Sequence, residues 1–274
     1  MNSSKSLKVT VARKGLSRTG ARLLSTISAE KRSEIFTIED AEEAIGITGG
    51  RLRKLLFGLT RNKWIERVER GKYLILPLES GPGASYSTHP YVIARKLASP
   101  YYVGFASALN YYGITEQVGR TTYIVTAKQK RPLRFHAEDY CFIHLSKGRF
   151  FGTREEWIGD LKFNISEKEK TVVDCLFIPK YSGGLTDVAK AFREKLDYEK
   201  LYAYAVRMND LATLKRLGYI LDLLKIKTRN TERLLAKVAG GYCLLDTGGP
   251  KTGQKNRKWR VIENIARSDL RVEA

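Results

Sequence analysis

Cysteine, histidine and long apolar runs are scarce in this chain of 274 residues. The three cysteines, Cys141, Cys175 and Cys243, form no CxxC pair, which excludes a disulfide scaffold and fits reduced thiols. No apolar run approaches the roughly 18 residues that a membrane span needs. Residues 1–15 contain no apolar segment of the kind found in secretory signals. The sequence therefore predicts a cytoplasmic protein without a membrane partner.

Metal and catalytic motifs are also missing. His136, Cys141 and His144 lie within nine residues, but on an extended strand the two histidines would be roughly 26 Å apart. No Gly-x-Ser-x-Gly elbow exists. The glycine-rich stretch 248–253 is followed by Gln254 at the position where a phosphate loop needs its lysine. We therefore expect no metal, no cofactor and no enzymatic activity.

Positive charge is abundant instead. The chain has 49 Lys and Arg against 29 Asp and Glu, for a net charge of +20. Two stretches contain bases and no acids, at residues 5–22 and 251–260. Nucleic acid is the natural polyanion for such patches, although a charge excess alone is equally typical of a solubilising surface.

The spacing of apolar residues near the N-terminus predicts three helices. The first covers residues 15–28, and the second begins where Thr37 and Asp40 form a capping-box pattern and ends at a turn at Gly46. The third covers residues 49–62, with leucines at positions 52, 55, 56 and 59 on one buried stripe. This order is typical of a helix-turn-helix.

Two short strand-like runs, 64–68 and 72–76, follow the third helix and predict a basic hairpin, or wing. A winged helix-turn-helix of this kind binds DNA, whereas a helical bundle whose hairpin contacts another protein remains the alternative. Arg51 and Arg53 are the better candidates for base edges, since arginine can bond guanine in a bidentate manner. The predicted DNA-binding residues are Lys14, Arg18, Thr48, Gly50, Arg51, Arg53, Lys54, Arg61, Arg70 and Lys72. The predicted second basic patch contains Lys251, Lys255, Arg257, Lys258 and Arg260.

The rest of the chain predicts an α+β fold. We expect a DNA-binding domain at 1–80, a proline- and glycine-rich linker at 81–90, an α+β domain at 91–200 and a helical, basic extension at 201–274. Strands are expected at 123–127, 133–136 and 140–145, and a helix should begin at a capping box of Ser166 and Glu169. The aromatic segment 100–117 favours core packing over base stacking.

Two other functions stay open. Glu167, Glu169 and Asp174, with the neighbouring lysines, resemble the carboxylate and lysine cluster of a magnesium-dependent nuclease, although adjacent helical residues diverge. The aromatic and basic residues of the C-terminal region could instead belong to an RNA-binding module.

Several segments taken in order resemble a known family, the AbiE-type abortive-infection antitoxins, which are transcriptional regulators of type IV toxin-antitoxin systems. The resemblance follows a winged helix and covers much of residues 100–264. Its segments are 101–109, 112–117, 165–176, Pro179, 183–184, 214–222, 244–246, Asn256, Trp259 and Arg260.

This resemblance implies a two-part regulator. The N-terminal winged helix would repress the operon that encodes it by binding double-stranded DNA at inverted repeats of its own promoter, in two or more copies. The C-terminal region would supply antitoxicity, and the cognate toxin would be a nucleotidyltransferase-like protein, with or without direct contact.

Overall fold

The computed structural model describes residues 14–30, 35–78, 89–116 and 119–270. The chain divides into two compact units, Met1–His89 and Pro90–Ala274. Both units combine helices with sheets, so the expected α+β class is confirmed. The basic arm residues Lys5, Lys8 and Arg13, and residues 81–88 of the predicted linker, lie outside the described residues.

The first unit has three helices and one small sheet. Its helices are α1 (Arg18–Glu30), α2 (Ile38–Ile45) and α3 (Gly49–Arg61). Its strands are β1 (Ile35–Thr37), β2 (Ile65–Glu69) and β3 (Lys72–Ile75), which form an antiparallel sheet in the order β1-β3-β2. The predicted hairpin is confirmed, but strand β1 was not predicted, because three residues are too few to show an alternating pattern.

Local signals at both ends of α2 fix its position. The Thr37 amide donates to Asp40 Oδ2 at 2.8 Å, and the Asp40 amide donates to Thr37 Oγ1 at 3.1 Å, so the predicted capping box is confirmed. At the other end Gly46 adopts a left-handed conformation with φ of 69°, which favours glycine. The chain can therefore turn sharply from α2 into α3.

The apolar stripe of α3 forms the centre of the first unit's core. Leu52, Leu56 and Leu59 are buried, and they belong to one cluster with Leu23 and Ile27 of α1. The predicted spacing is therefore confirmed, except that Leu55 is only half-buried. Because one side of α3 is held by this core, its opposite side faces solvent.

The second unit is built on a mixed sheet of six strands in the order β6-β7-β5-β4-β9-β8. The strands are β4 (Tyr101–Val103), β5 (Thr121–Thr126), β6 (Leu133–Phe135), β7 (Glu138–His144), β8 (Thr153–Ile158) and β9 (Leu161–Ser166). The pairs β5–β7 and β4–β9 are parallel, and the other neighbours are antiparallel. The three predicted strands correspond to β5, β6 and β7.

Eight helices and a three-stranded sheet complete the described part of this unit. The helices are α4 (Pro90–Leu97), α5 (Phe105–Tyr111), α6 (Lys168–Phe177), α7 (Leu185–Lys190), α8 (Tyr198–Arg207), α9 (Leu211–Leu223), α10 (Asn230–Leu235) and α11 (Arg267–Leu270). The small sheet contains β10 (Cys243–Leu244), β11 (Gln254–Asn256) and β12 (Val261–Glu263) in the order β10-β12-β11. None of the helices in the described ranges is long and apolar enough to cross a bilayer.

The expected boundary between residues 200 and 201 is not seen. Helix α8 runs continuously across it. Leu201, Trp259 and Val261 belong to the same buried cluster as Tyr102 and Val173. A shared hydrophobic core makes residues 201–270 part of the same unit rather than an extension of it.

The predicted capping box of Ser166 and Glu169 is wrong. Ser166 is the last residue of β9, which pairs in parallel with β4, and α6 begins only at Lys168. The Ser166 hydroxyl lies 2.7 Å from Thr171 Oγ1, and Glu169 Oε1 accepts a hydrogen bond from the Asp197 amide at 3.0 Å. Strand pairing with a distant segment decides the structure here, and a local sequence pattern does not contain that information.

Candidate nucleic-acid interface

The solvent-exposed face of α3 carries most of the predicted DNA-binding residues. Gly50, Lys54 and Arg61 follow one line along the helix, and all three are exposed. Arg51 and Arg53 flank this line and are also exposed. The face is therefore a strip of cations on a helix whose other side is fixed in a core.

The four cations of this face have no acidic partner in the part of the chain that the structure describes. Among the residues that the structure describes, Arg51, Arg53, Lys54 and Arg61 form no ion pair. Some exposed arginines elsewhere are paired, and Arg267 bonds Glu263 through two nitrogens at 2.7 and 2.8 Å. An unpaired cation keeps its full attraction for a polyanion, since no local carboxylate has to be displaced.

The beginning of α3 is also suited to an anion. Thr48 is the N-cap residue, but its side chain makes no hydrogen bond to the helix amides, and the first turn contains no acidic residue. Gly50 is exposed, and a Cβ at this position would meet nothing within 4 Å. The amides of a helix N-terminus point outward with partial positive charge and can bind a phosphate.

Two grooves border α3. One is lined by Arg51 and Lys54 together with Ser17 and Thr19 at the start of α1, next to the exposed side chain of Arg18. The segment before α1 is held in place because Trp64 Nε1 donates to the carbonyl oxygen of Lys14 at 2.8 Å. The backbone at Lys14 is thereby fixed against the segment that connects α3 to β2.

The second groove lies between α3 and the hairpin. Arg53 and Phe57 line it from α3, Arg67 and Tyr73 from the hairpin, and Glu42 from α2. Arg67 was not predicted as a site residue, although it is exposed and is oriented by a bond of 3.3 Å from its Nε to the Glu69 carbonyl. Basic side chains of helix and hairpin thus face one groove.

The two predicted hairpin residues differ. Arg70 is exposed in the turn between β2 and β3. Lys72 is half-buried, and its Nζ lies 3.0 Å from Glu69 Oε1. Arg70 is therefore free to extend from the hairpin tip, whereas Lys72 helps to hold the hairpin together.

Phe57 is the residue of α3 that the sequence interpretation missed. It lies on the exposed line between Lys54 and Arg61, and 70% of its surface is exposed. The available signal was its position: it falls outside the 52, 55, 56, 59 stripe, so an amphipathic helix places it in solvent.

The second basic patch is less open than its composition predicts. Lys258 Nζ is paired with Asp222 Oδ2 at 2.5 Å, and Arg260 Nη1 donates to the Gly240 carbonyl at 2.6 Å. Lys255 Nζ lies 5.4 Å from the centre of the Tyr242 ring. Lys251 and Arg257 are exposed. Lys258 and Arg260 are thus held by contacts within the second unit, and Lys258 is the patch residue whose charge is compensated by a carboxylate.

The carboxylates of the nuclease alternative have structural partners. Glu167 accepts a hydrogen bond from Tyr204 at 2.5 Å and pairs with Lys200 at 3.0 Å. Asp174 is fully buried, and there it pairs with Lys170 and accepts from Tyr102. Burial raises the pKa of Asp174 and lowers that of Lys170. Among the described residues, no group of three or more His, Cys, Asp and Glu side chains could hold a metal ion.

Comparisons with known proteins identify a related fold. No protein-family model and no curated protein matches this chain. Its fold is similar to the crystal structure of the RV2827C protein from Mycobacterium tuberculosis, with a TM-score of 0.65. The two chains are 16% identical, and the similarity covers 96% of each. At this identity the match shows a common fold across both units' elements and nothing about activity.

Proposed function

We propose that the first unit is a winged helix-turn-helix that binds duplex DNA, with α3 as the recognition helix and the β2–β3 hairpin as the wing. The order of helix, short strand, two helices and hairpin suits this assignment. The observation that carries it is the strip of exposed, unpaired cations on α3, because the major groove of B-DNA admits one α-helix between two rows of phosphates.

Each cation has a role that follows from its chemistry. Arg51 and Arg53 lie near the N-terminal end of α3, where recognition helices contact base edges, and each can bond guanine O6 and N7. Lys54 and Arg61 would contact phosphates, as would Lys14 and Arg18 near the start of α1. Arg70 at the wing tip would reach the flanking backbone or the adjacent minor groove.

We further propose that the protein is a repressor of its own operon and the antitoxin of a type IV system, acting against a nucleotidyltransferase-like toxin. This part rests on the resemblance to AbiE-type antitoxins. The segment 165–176 that contributes to the resemblance is almost entirely buried around α6. Its residues would therefore preserve the fold of an antitoxin region, and the surface that opposes the toxin would lie elsewhere in the second unit.

DNA binding is tested by selection from a random-sequence duplex pool with the full chain, followed by affinity measurements in a salt series. If about six to ten phosphates are engaged, affinity should fall roughly 10³- to 10⁵-fold between about 50 and 200 mM salt. The triple variant Arg51→Ala, Arg53→Ala, Lys54→Ala should lose the selected duplex. A control that removes two exposed lysines of the second unit, Lys195→Ala with Lys227→Ala, should keep it.

Three results would refute this proposal: no enriched duplex, affinity that is flat with salt, or equal loss in both variants. Tighter binding of single-stranded RNA than of the selected duplex in the same salt series would favour the RNA-binding alternative. The regulatory role is tested separately, with the reading frame next to this gene. Co-expression should relieve the toxicity of a neighbouring nucleotidyltransferase-like protein, and the selected sequence should occur as repeats in the shared promoter.

A further inference from the structure

We propose that Phe57 reads thymine, by placing its ring against the C5-methyl groups exposed in the major groove. This inference rests on the proposed DNA-binding function and names a specificity-determining residue within it. The observation that carries it is a large apolar side chain that lies, 70% exposed, in the middle of the cationic line of α3.

Folding does not account for this side chain. Hydrophobic burial is the main driving force of folding, and the core of the first unit is already filled from α3 by Leu52, Leu56 and Leu59. Phe57 lies on the other side of the helix, with Arg53 and Lys54 one turn before it and Arg61 one turn after it. A phenylalanine in such surroundings is better explained by contact with a ligand whose apolar groups lie between negatively charged groups.

Charge decides between the possible occupants of this face. A second copy of the chain docked through the same face would bring Arg53, Lys54 and Arg61 against their own equivalents, which costs free energy. A DNA duplex would instead attract these cations, since negatively charged phosphates border its major groove on both sides. Among the base edges in the major groove, only thymine presents an apolar group, its methyl. The combination of a central ring and surrounding cations therefore matches thymine-containing duplex DNA.

The polar residues that line the groove beside Phe57 suit contacts with G·C base pairs. Arg53 and Arg67 line this groove together with Phe57, and Glu42 is the acidic residue that lines it. Arginine selects guanine and a carboxylate can accept from cytosine N4, so the residues around the ring would distinguish G·C pairs. Phe57 would contact the A·T pairs of the same site through the thymine methyl group, which these polar groups do not recognise.

The test replaces thymine by deoxyuridine, which pairs with adenine in the same way but lacks the methyl group. The probe is the duplex that the full chain selects from a random pool, synthesised with deoxyuridine at each thymine in turn. Removal of a contacted methyl should weaken binding by the wild-type chain about fourfold, the equivalent of one buried carbon group. Phe57→Ala should bind the thymine and deoxyuridine duplexes equally, because the contact is already lost.

Two variants serve as controls. Phe57→Leu keeps an apolar side chain and should retain part of the preference for thymine. Leu78→Ala removes the side chain of another residue of the first unit, 72% exposed and outside α3, and should retain all of it. Because Phe57 and Leu78 are both exposed, neither substitution is expected to unfold the unit.

The outcomes separate this inference from the function on which it rests. If no duplex is enriched, the DNA-binding function fails and this inference fails with it. If a duplex is enriched but contains no thymine, or if deoxyuridine is tolerated at every position, Phe57 does not read thymine while DNA binding stands. An equal loss on methyl removal in wild type and Phe57→Ala would assign the effect to DNA shape and overturn the inference as well.

Discussion

The indole ring of Trp259 lies directly against the backbone of Gly218 in helix α9. A Cβ placed on Gly218 would stand 2.0 Å from Trp259 Cζ3, closer than any real contact allows. Trp259 is 1% exposed, and its Nε1 donates to Asp222 Oδ2 at 2.7 Å, one helical turn further along. This contact packs the region of β10, β11 and β12 against the core of the second unit, and it requires glycine at position 218.

We predict that Gly218→Ala destabilises the second unit, although alanine is the better helix former by about 1 kcal/mol. The added methyl must displace the indole, and overpacking of this kind costs about 1 to 3 kcal/mol. Thermal unfolding measures the change. The matched control is Gly58→Ala in α3, where a Cβ meets nothing within 4 Å and a small stabilisation of the first unit is expected. A stability gain in both variants would show that the indole moves away at no cost.

Much of the first unit could be predicted because its signals are local. The leucines at 52, 56 and 59, the pair Thr37 and Asp40, and Gly46 each specify their own structure within a few residues, so helix order and the hairpin follow. The pairing of β1 with β3 and of Val103 with Ile165 depends on contacts far apart in sequence. No pattern around residues 35–37 or 164–166 encodes them, which is why one strand was missed and a helix was expected to start too early.

The candidate site was predictable to a similar degree. Exposed positions on α3 follow from its buried stripe, so Gly50, Lys54 and Arg61 could be assigned to the outer face. The partners of Lys72 and Lys258 could not be inferred, because an ion pair with Glu69 or Asp222 depends on tertiary geometry. The sequence pattern does not single out Phe57, because cationic residues, rather than apolar ones, are the signature of DNA binding.

A second prediction concerns Lys170 and Asp174, which are fully buried and paired one turn apart in α6. Lys170→Met leaves an uncompensated carboxylate, and Asp174→Asn leaves an uncompensated ammonium group. Each should destabilise the second unit by about 3 to 5 kcal/mol. The double variant should cost much less than the sum of the two, because neither buried charge remains. Chemical unfolding of all four chains gives the coupling energy.

The exposed pair Lys162 and Glu155, 3.3 Å apart, provides the control for that experiment. Lys162→Met and Glu155→Gln should each change stability by less than about 1 kcal/mol, as surface pairs do. Additive effects at Lys170 and Asp174, to within about 0.5 kcal/mol, would contradict this prediction. They would show that the two buried charges do not stabilise each other.

A third prediction concerns the pKa of Glu199 in α8. Hydrogen bonds from Arg229, and then from Asn230 and Arg233, lower this pKa from 4.5 to about 2. A carboxyl group with a lowered pKa stabilises the folded state above its unfolded pKa, and this contribution is lost as the pH falls from 4.5 towards about 2. A carbon-detected NMR titration measures the pKa directly. In the double variant Arg229→Ala, Arg233→Ala, the pKa of Glu199 should return towards its ordinary value. A wild-type titration midpoint near 4.5 would show that these hydrogen bonds do not persist in solution.

The last prediction separates base reading from phosphate binding on α3. Arg51→Ala and Arg53→Ala should each reduce the discrimination between the selected duplex and a scrambled one by about 1 to 3 kcal/mol, since a bidentate contact to guanine is lost. Lys54→Ala should weaken binding to both duplexes equally and reduce the salt slope by about 1, because it removes one phosphate contact. Affinities for the two duplexes, measured over a salt series, distinguish these effects. Unchanged discrimination in both arginine variants would move the reading surface from α3 to the wing, and Arg67 and Arg70 would then be the residues to substitute.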